Sequence, residues 1–335
     1  MPSTFAEVRF VPRWLHFWCV LTAGAAVAVL ALGAVVTTFQ IGMVDPVWPT
    51  APWHLALIDW SEPKPGFLLE HLHRLAAYLV GCCAIVLALG MWFSARCGWL
   101  KGLGVLALVG VSLQGLFGGF RVVLHARFGT SFAVIHGCFA QLVFCLLVSL
   151  AVLTSTRFSA ASLPLVDSPR LRRWSLLLVG LVFLQLIWGT LLRHTNGALA
   201  QRMHLLTAFG VVAATAWFTH MALENPSARR LLGRTLIWLG VLLVLQISLG
   251  IESWLGKFAG VLMPELQKPS IGQASHRVAH VLVGSFILAG VVVQAILLHR
   301  SVFLANLQGQ PEHPLALGVN GPNCGNSVPQ LEGTA

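Results

Sequence analysis

Four histidines able to bind a metal stand near the start of alternate apolar segments of this 335-residue chain. They are His73, His136, His204 and His276. A lone histidine in such a segment is more often a hydrogen-bonded packing residue, and we interpret His220 and His299 in that way. A polar side chain is costly inside a membrane, however, so four at matched positions favour a shared ligand. Haem, whose iron can take one imidazole on each face, is the first candidate.

Eight predicted membrane-spanning helices must position these histidines. The chain is 57% hydrophobic and 10% charged, and its apolar residues fall into blocks of about twenty, the length that crosses a bilayer core. We therefore predict an all-α polytopic membrane protein, in which the histidines head the second, fourth, sixth and eighth spans. The predicted spans are 14–38, 68–93, 102–121, 130–153, 172–193, 202–223, 232–254 and 272–299.

The formal net charge of +10 follows membrane topology. Many arginines and lysines lie at the chain ends or in loops that join even-numbered to odd-numbered spans, which places both termini in the cytoplasm. The histidines then lie toward the outer face. Nothing in the sequence supports nucleic-acid binding. The segment before the first span is too short and too poor in Arg and Ser for a transit peptide, so we expect a bacterial inner membrane.

A weak internal repeat predicts two related halves. The segments HRLAAYLVG, from His73, and HRVAHVLVG, from His276, agree at most positions, as expected for pseudo-symmetric four-helix bundles. We predict an N-terminal half over 1–157, a C-terminal half over 172–300, and a disordered cytoplasmic tail over 301–335 that is rich in Gly, Pro and Asn.

A second repeat, Gln-x-x-x-Gly, recurs in the third, fifth and seventh predicted spans. It covers Gln114–Gly118, Gln185–Gly189 and Gln246–Gly250. We favour close helix packing with an interhelical hydrogen bond over a cofactor contact as its role.

Bundle geometry predicts how the histidines pair. In an up-down bundle, spans 2 and 4 of each half lie on a diagonal of about 11–14 Å, which two imidazoles and one iron can bridge. The predicted pairs are His73 with His136 and His204 with His276. His280 lies one turn below His276 on the same face and is an alternative ligand. The repeat aligns His280 with Ala77, which favours His276.

Charged residues beside two of the histidines could serve the same ligand. Glu70 lies one turn before His73 and is the only acid at this position in the four helices, so it could exchange protons there or pair with an arginine. Arg74 and Arg277 directly follow their histidines. They could bind haem propionates or extend to lipid phosphates.

The Glu-x-x-His-Arg motif of residues 70–74, with three further histidines at the heads of alternate spans, resembles the haem A synthase family, the Cox15/CtaA group. The resemblance covers residues 14–299. It implies an oxidoreductase of haem biosynthesis and cytochrome oxidase assembly, which oxidises the C8 methyl group of haem O to a formyl group. By this resemblance His204 and His276 ligate the iron of a resident haem b. His73 and His136 flank the substrate haem O, Glu70 is the catalytic carboxylate, and Arg74 and Arg277 bind the ligands.

The resemblance also implies partners and marks two departures. Haem O synthase is a candidate donor of the substrate, membrane lipid surrounds the chain, the electron acceptor is not identified, and a homo-oligomer is left open. Residues 39–67 lack the cysteine pair that some relatives carry in the first outer loop. A Pro-Asp-Trp-Pro motif of other relatives is altered here to Asp45-Pro46-Val47-Trp48-Pro49.

Two other functions fit the residues. A di-haem electron carrier of cytochrome b type would need the same four histidine ligands, but it has no need of a single carboxyl group beside one of them. A transporter with histidine proton relays suits the topology but not the uniform outer placement of the histidines.

Overall fold

The computed structural model describes residues 11–44, 65–95, 97–159, 163–259 and 268–308. Eight helices in these ranges are long and apolar enough to cross a membrane, which confirms the predicted fold class. They are span 1 (Arg13–Thr38), span 2 (Pro65–Ser94), span 3 (Gly98–Val123), span 4 (Ser131–Leu153), span 5 (Pro169–Thr195), span 6 (Ala198–Glu224), span 7 (Pro226–Phe258) and span 8 (Ile271–Gln308). Short helices at His125–Phe128 and Thr156–Ser159 follow spans 3 and 4.

Local capping explains several helix ends. Ser168 and Asn225 accept hydrogen bonds from the first turns of spans 5 and 7, and a proline follows each of them at the first helical position, where its missing N–H costs nothing. Span 7 therefore begins at Pro226, earlier than its apolar residues predict. Span 5 ends at Thr195, and the next residue, Asn196, takes the left-handed conformation common after a helix.

The last helix is longer than predicted. Span 8 continues to Gln308, beyond Arg300, where the tail was expected to begin. The rest of the predicted tail lies outside the described residues, as does the altered loop motif from Asp45 to Pro49.

The spans pack as two groups of four. Within spans 1–4, and again within spans 5–8, each helix contacts the next one along the chain and the first contacts the fourth. Spans 2 and 4 are thus diagonal, as are spans 6 and 8. Spans 1, 4, 5 and 8 make the contacts between the groups, and we call this contact region the seam. Pseudo-symmetry and the exact half boundaries remain predictions.

Each group has its own buried core, and its outer surface is apolar. Leu15, Met91 and Leu147 belong to the first core and Phe218 and Leu232 to the second. Large apolar side chains also point outward, such as Phe209, which is 75% exposed. An apolar exterior of this extent suits lipid rather than water.

Alternate helices run in opposite directions, which gives the molecule two distinct ends. Spans 2, 4, 6 and 8 begin at the end we call the histidine end. Spans 1, 3, 5 and 7 begin at the opposite one, the basic end. The functional side chains predicted from the sequence all lie toward the histidine end.

Candidate functional site

Two histidine rings face each other inside the second helix group. The ring centres of His204, in span 6, and His280, in span 8, are 6.2 Å apart, with planes at 74°. Two imidazoles that ligate one iron from opposite faces have ring centres about 6 Å apart, since each metal–nitrogen bond is about 2 Å and each ring centre lies about 1 Å beyond it. The pair has the spacing that a bis-histidine haem requires.

The backbone fixes which nitrogen of each ring can bind a metal. His204 Nδ1 lies 3.3 Å from the carbonyl oxygen of Gln185, and His280 Nδ1 lies 3.2 Å from that of Gln246. A carbonyl oxygen only accepts hydrogen bonds, so each Nδ1 carries the proton and each Nε2 keeps a lone pair. This is the arrangement in which a ligand histidine is usually held.

The same glutamines reach the rings with their side chains. Nε2 of Gln185 lies 3.5 Å from Nε2 of His204, and Nε2 of Gln246 lies 3.3 Å from Nε2 of His280. Thr207 Oγ1 donates to Gln185 Oε1, which turns the amide nitrogen toward the imidazole. The interhelical hydrogen bond predicted for Gln-x-x-x-Gly is confirmed. Its partner is the histidine itself, which the repeat alone did not reveal.

A glycine lies against each of the four rings and permits the close approach. A Cβ atom added at Gly189 would lie 3.0 Å from Cε1 of His204, and one at Gly250 would lie 3.1 Å from Cε1 of His280. In the first group the corresponding glycines are Gly118 against His136, at 3.2 Å, and Gly33 against His73, at 2.9 Å. In each case the histidine and its glycine belong to consecutive, antiparallel spans.

His276 does not share this environment. Its side chain is exposed, whereas His280, one turn further into span 8, makes the contacts described above. The nonapeptide repeat aligns His276 with His73, but the rotation of span 8 brings His280 to face Gly250 and His204. The geometry therefore favours His280 in the place predicted for His276.

The first group holds the other two predicted ligands. Nε2 of Gln114 lies 3.1 Å from Nδ1 of His136, and His73 is close enough to His136 to interact with it electrostatically. Val29 lies four residues before Gly33, at the position where spans 3, 5 and 7 carry the glutamine of Gln-x-x-x-Gly. Its backbone lies close to the His73 ring, but Nδ1 of His73 has no partner within hydrogen-bond distance among the described residues.

Two donors among the described residues hold the buried carboxylate of Glu70. Oε1 accepts from Arg74 Nη2 at 2.7 Å and Oε2 accepts from the backbone N–H of Val44 at 2.8 Å. Arg121, from span 3, also acts on Glu70 electrostatically, and Glu70 is only 3% exposed. Of the two interpretations left open by the sequence, pairing with an arginine is present. It fixes the position of the carboxylate and does not exclude proton exchange.

Several cations meet at the histidine end of the second group. Arg277 Nη2 donates to the carbonyl oxygen of Gly256 at 3.1 Å, whereas its buried Nε has no hydrogen-bond partner among the described residues. Lys257 and Arg193 lie close enough to Arg277 to repel it. A buried donor beside several positive charges suits an anionic group such as a propionate.

Comparison with known proteins finds relatives of this chain. The family model COX15-CtaA, described as a cytochrome oxidase assembly protein, matches residues 50–203. A protein named Heme A synthase from Geobacillus thermodenitrificans is 29% identical over 198 residues, which cover 56% of this chain and 59% of the relative. Its namesake from Listeria monocytogenes serotype 4a (strain HCC23) is 24% identical over 270 residues, covering 71% of this chain and 85% of the relative. The match thus spans less than two thirds of the first relative and most of the second. Together the matches support membership of this chain in the COX15-CtaA family.

Proposed function

We propose that the chain is a haem A synthase, an oxidoreductase that converts the C8 methyl group of haem O to a formyl group. The observation that carries the proposal is the facing pair His204 and His280, with a ring separation of 6.2 Å and each Nδ1 bonded to a backbone carbonyl. The name of the curated relatives supports the same function.

In the second group, His204 and His280 would hold haem b by its iron. Haem b supplies a one-electron redox centre when bound. The carbonyl oxygens of Gln185 and Gln246 orient the two imidazoles, and Gly189 and Gly250 leave room for them. Arg277, with Lys257 and Arg193 nearby, provides positive charge for the propionates. Electrons from the substrate would leave the protein through this half.

In the first group, His73 and His136 would flank the substrate haem O. Oxidation of a methyl group with water as the oxygen source releases protons as well as electrons, so a proton acceptor is needed beside the substrate. Glu70 lies one helical turn from His73, and its position is fixed by Arg74 and the Val44 N–H. We assign proton transfer to Glu70. His73 lacks the glutamine that holds the other three rings, which suits a ligand that must exchange with each turnover.

A second candidate function is a di-haem electron carrier of cytochrome b type. One observation favours the carrier: each of the four rings, in both helix groups, contacts a glycine in the same way. The buried Glu70–Arg74 pair and the missing glutamine at Val29 favour the enzyme, because both occur in the first group only.

The two functions are distinguished by pigment analysis of a bacterial host that makes haem O but lacks its own haem A synthase. Expression of the chain should yield haem A. Glu70→Gln, which keeps the size of the side chain, should leave resident haem b in the purified protein and reduce haem A at least about a hundredfold, the usual scale of general acid–base catalysis. Glu252→Gln, at an exposed position on span 7, is the matched control. Bound haem b without any haem A from the unaltered chain would favour the electron carrier.

A further inference from the structure

A cleft opens into the seam toward the basic end, away from the histidines. Its volume is about 360 Å³, and aliphatic side chains from spans 1, 4, 7 and 8 line it. They include Val20, Val148, Val152, Leu231 and Leu297. Both helix groups therefore contribute to its walls.

One end of the cleft is strongly basic. Arg157, from the short helix after span 4, and Arg234, from span 7, both line it, with Ser155 and Thr235. Both arginines are exposed, and no carboxylate among the described residues forms an ion pair with either. Two guanidinium groups from different helices form a site suited to a phosphate, whose oxygens accept paired N–H donors.

The cleft continues as an apolar groove along span 7. A second cleft of about 220 Å³ shares Thr235 and Val293 with the first and is lined by Trp238, Leu242 and Gly290. Trp238 is 65% exposed, so it lies on the apolar outer surface of the molecule, which suits contact with the bilayer. The groove thus has a cationic end and a hydrocarbon-lined extension.

We propose that this groove binds an anionic phospholipid, with its phosphate between Arg157 and Arg234 and an acyl chain along Trp238, Leu242 and Gly290. Basic pockets between membrane helices recognise anionic headgroups, and a groove open to the bilayer meets lipid at high local concentration. Because the walls come from both helix groups, the bound lipid would strengthen the seam. The proposal does not depend on the enzymatic function.

The test uses the full-length protein, purified in detergent and supplied with phosphatidylglycerol or with phosphatidylcholine of the same acyl chains. Native mass spectrometry should show preferential retention of phosphatidylglycerol, and that lipid should raise the thermal unfolding midpoint more than phosphatidylcholine does. The double variant Arg157→Gln, Arg234→Gln should lose about tenfold or more in this preference, the scale of one charged hydrogen bond. The control variant Arg229→Gln, Arg230→Gln changes two exposed arginines of span 7 that do not line the groove. It should keep the preference for phosphatidylglycerol.

A second variant separates the acyl chain from the headgroup. A Cβ at Gly290 would meet nothing within 4 Å, so Gly290→Leu should fold and fill the groove. It should lower phosphatidylglycerol retention, whereas Gly240→Leu, also at an open position, should not. Equal retention of both lipids by the unaltered protein would overturn the proposal. The same stabilisation by inorganic phosphate alone, or displacement of the lipid by a neutral quinone, would also overturn it.

Discussion

The two histidines of span 8, His276 and His280, differ in what contacts their rings. His280 has a backbone carbonyl at Nδ1, a glycine at Cε1 and a second imidazole opposite it. His276 lies one turn away and is exposed. Both are histidines on one face of one helix, so the choice between them depends on the exact rotation and depth of span 8.

We expect His280→Ala to abolish the low-spin bis-histidine haem spectrum of the purified protein, because haem b would lose one of the two histidines proposed to hold its iron. His276→Ala should retain the full spectrum and serves as the control. Visible absorption with electron paramagnetic resonance measures both. If His276→Ala lost the spectrum and His280→Ala retained it, the ligand would be His276, as the sequence repeat predicts.

The residue scale also shows what the sequence could and could not predict. The spacing of Glu70 and Arg74 places both on one helix face, so an ion pair between them is compatible with the sequence alone. The contact of Glu70 with the Val44 N–H was not predictable, since it depends on how the chain leaves span 1. The repeat misaligned His280 because sequence similarity does not record helix rotation.

At the scale of elements, the repeating unit is a helical hairpin, that is, an odd-numbered span and the even-numbered span that follows it. Each pair brings a glycine of the first helix against a histidine of the second, and in three pairs a glutamine of the first helix also reaches that ring. Gln-x-x-x-Gly was visible in the sequence as a packing motif. Its fourth member, Val29 to Gly33, was not, because the glutamine is absent.

The glycine contact predicts a contrast between two positions on span 5. Gly189→Ala would place a Cβ 3.0 Å from His204 Cε1, so the ring must shift and the haem-to-protein ratio should fall several-fold. Gly180→Ala meets nothing within 4 Å and should keep the ratio. It should also stabilise the helix by up to about 1 kcal/mol, the propensity difference between Gly and Ala. The pyridine haemochrome assay measures haem content and thermal unfolding measures stability. Equal haem content in both variants would contradict the role of Gly189.

Hydropathy predicted all eight spans, because a block of about twenty apolar residues has few other uses. It predicted their ends less well. Capping by Asn225 and Pro226 starts span 7 before its apolar residues do, and span 8 continues past its own apolar block to Gln308. Local hydrogen bonding decides where span 7 begins, and a hydropathy window does not register it.

At the scale of the whole molecule, arginines of spans 5 and 8 join the two helix groups. Arg193, in span 5, donates to the carbonyl oxygen of Ala34 at 2.6 Å and to Thr38 Oγ1 at 3.0 Å, both in span 1. Arg300, in span 8, donates to the carbonyl oxygens of Phe158 and Leu163 between the groups. The first contact adjoins Gly33 and hence the ring of His73.

We expect Arg193→Gln to disturb the first group although the residue belongs to the second. The variant loses charged hydrogen bonds that contribute about 1.5–3 kcal/mol each, so the thermal unfolding midpoint should fall and haem A formation should drop. Resident haem b should fall less than haem A, because His204, His280 and Arg277 are unchanged in this variant. Arg202→Gln, at an exposed position on span 6, is the control. Unchanged stability and haem A yield in Arg193→Gln would show that the two groups act independently.

The confinement of each glycine–histidine contact to one helical hairpin bears on biogenesis. Hairpins leave the ribosome in chain order, so the imidazoles of His73 and His204 can be oriented as soon as their own hairpins enter the bilayer, before the opposing His136 and His280 have been synthesised. The oriented histidines then meet in pairs as the hairpins pack together, and the last hairpin, which carries His280, completes the second pair. Capture of haem b by the second group would thus follow insertion of the last hairpin, so haem b would not serve as the scaffold on which the chain folds.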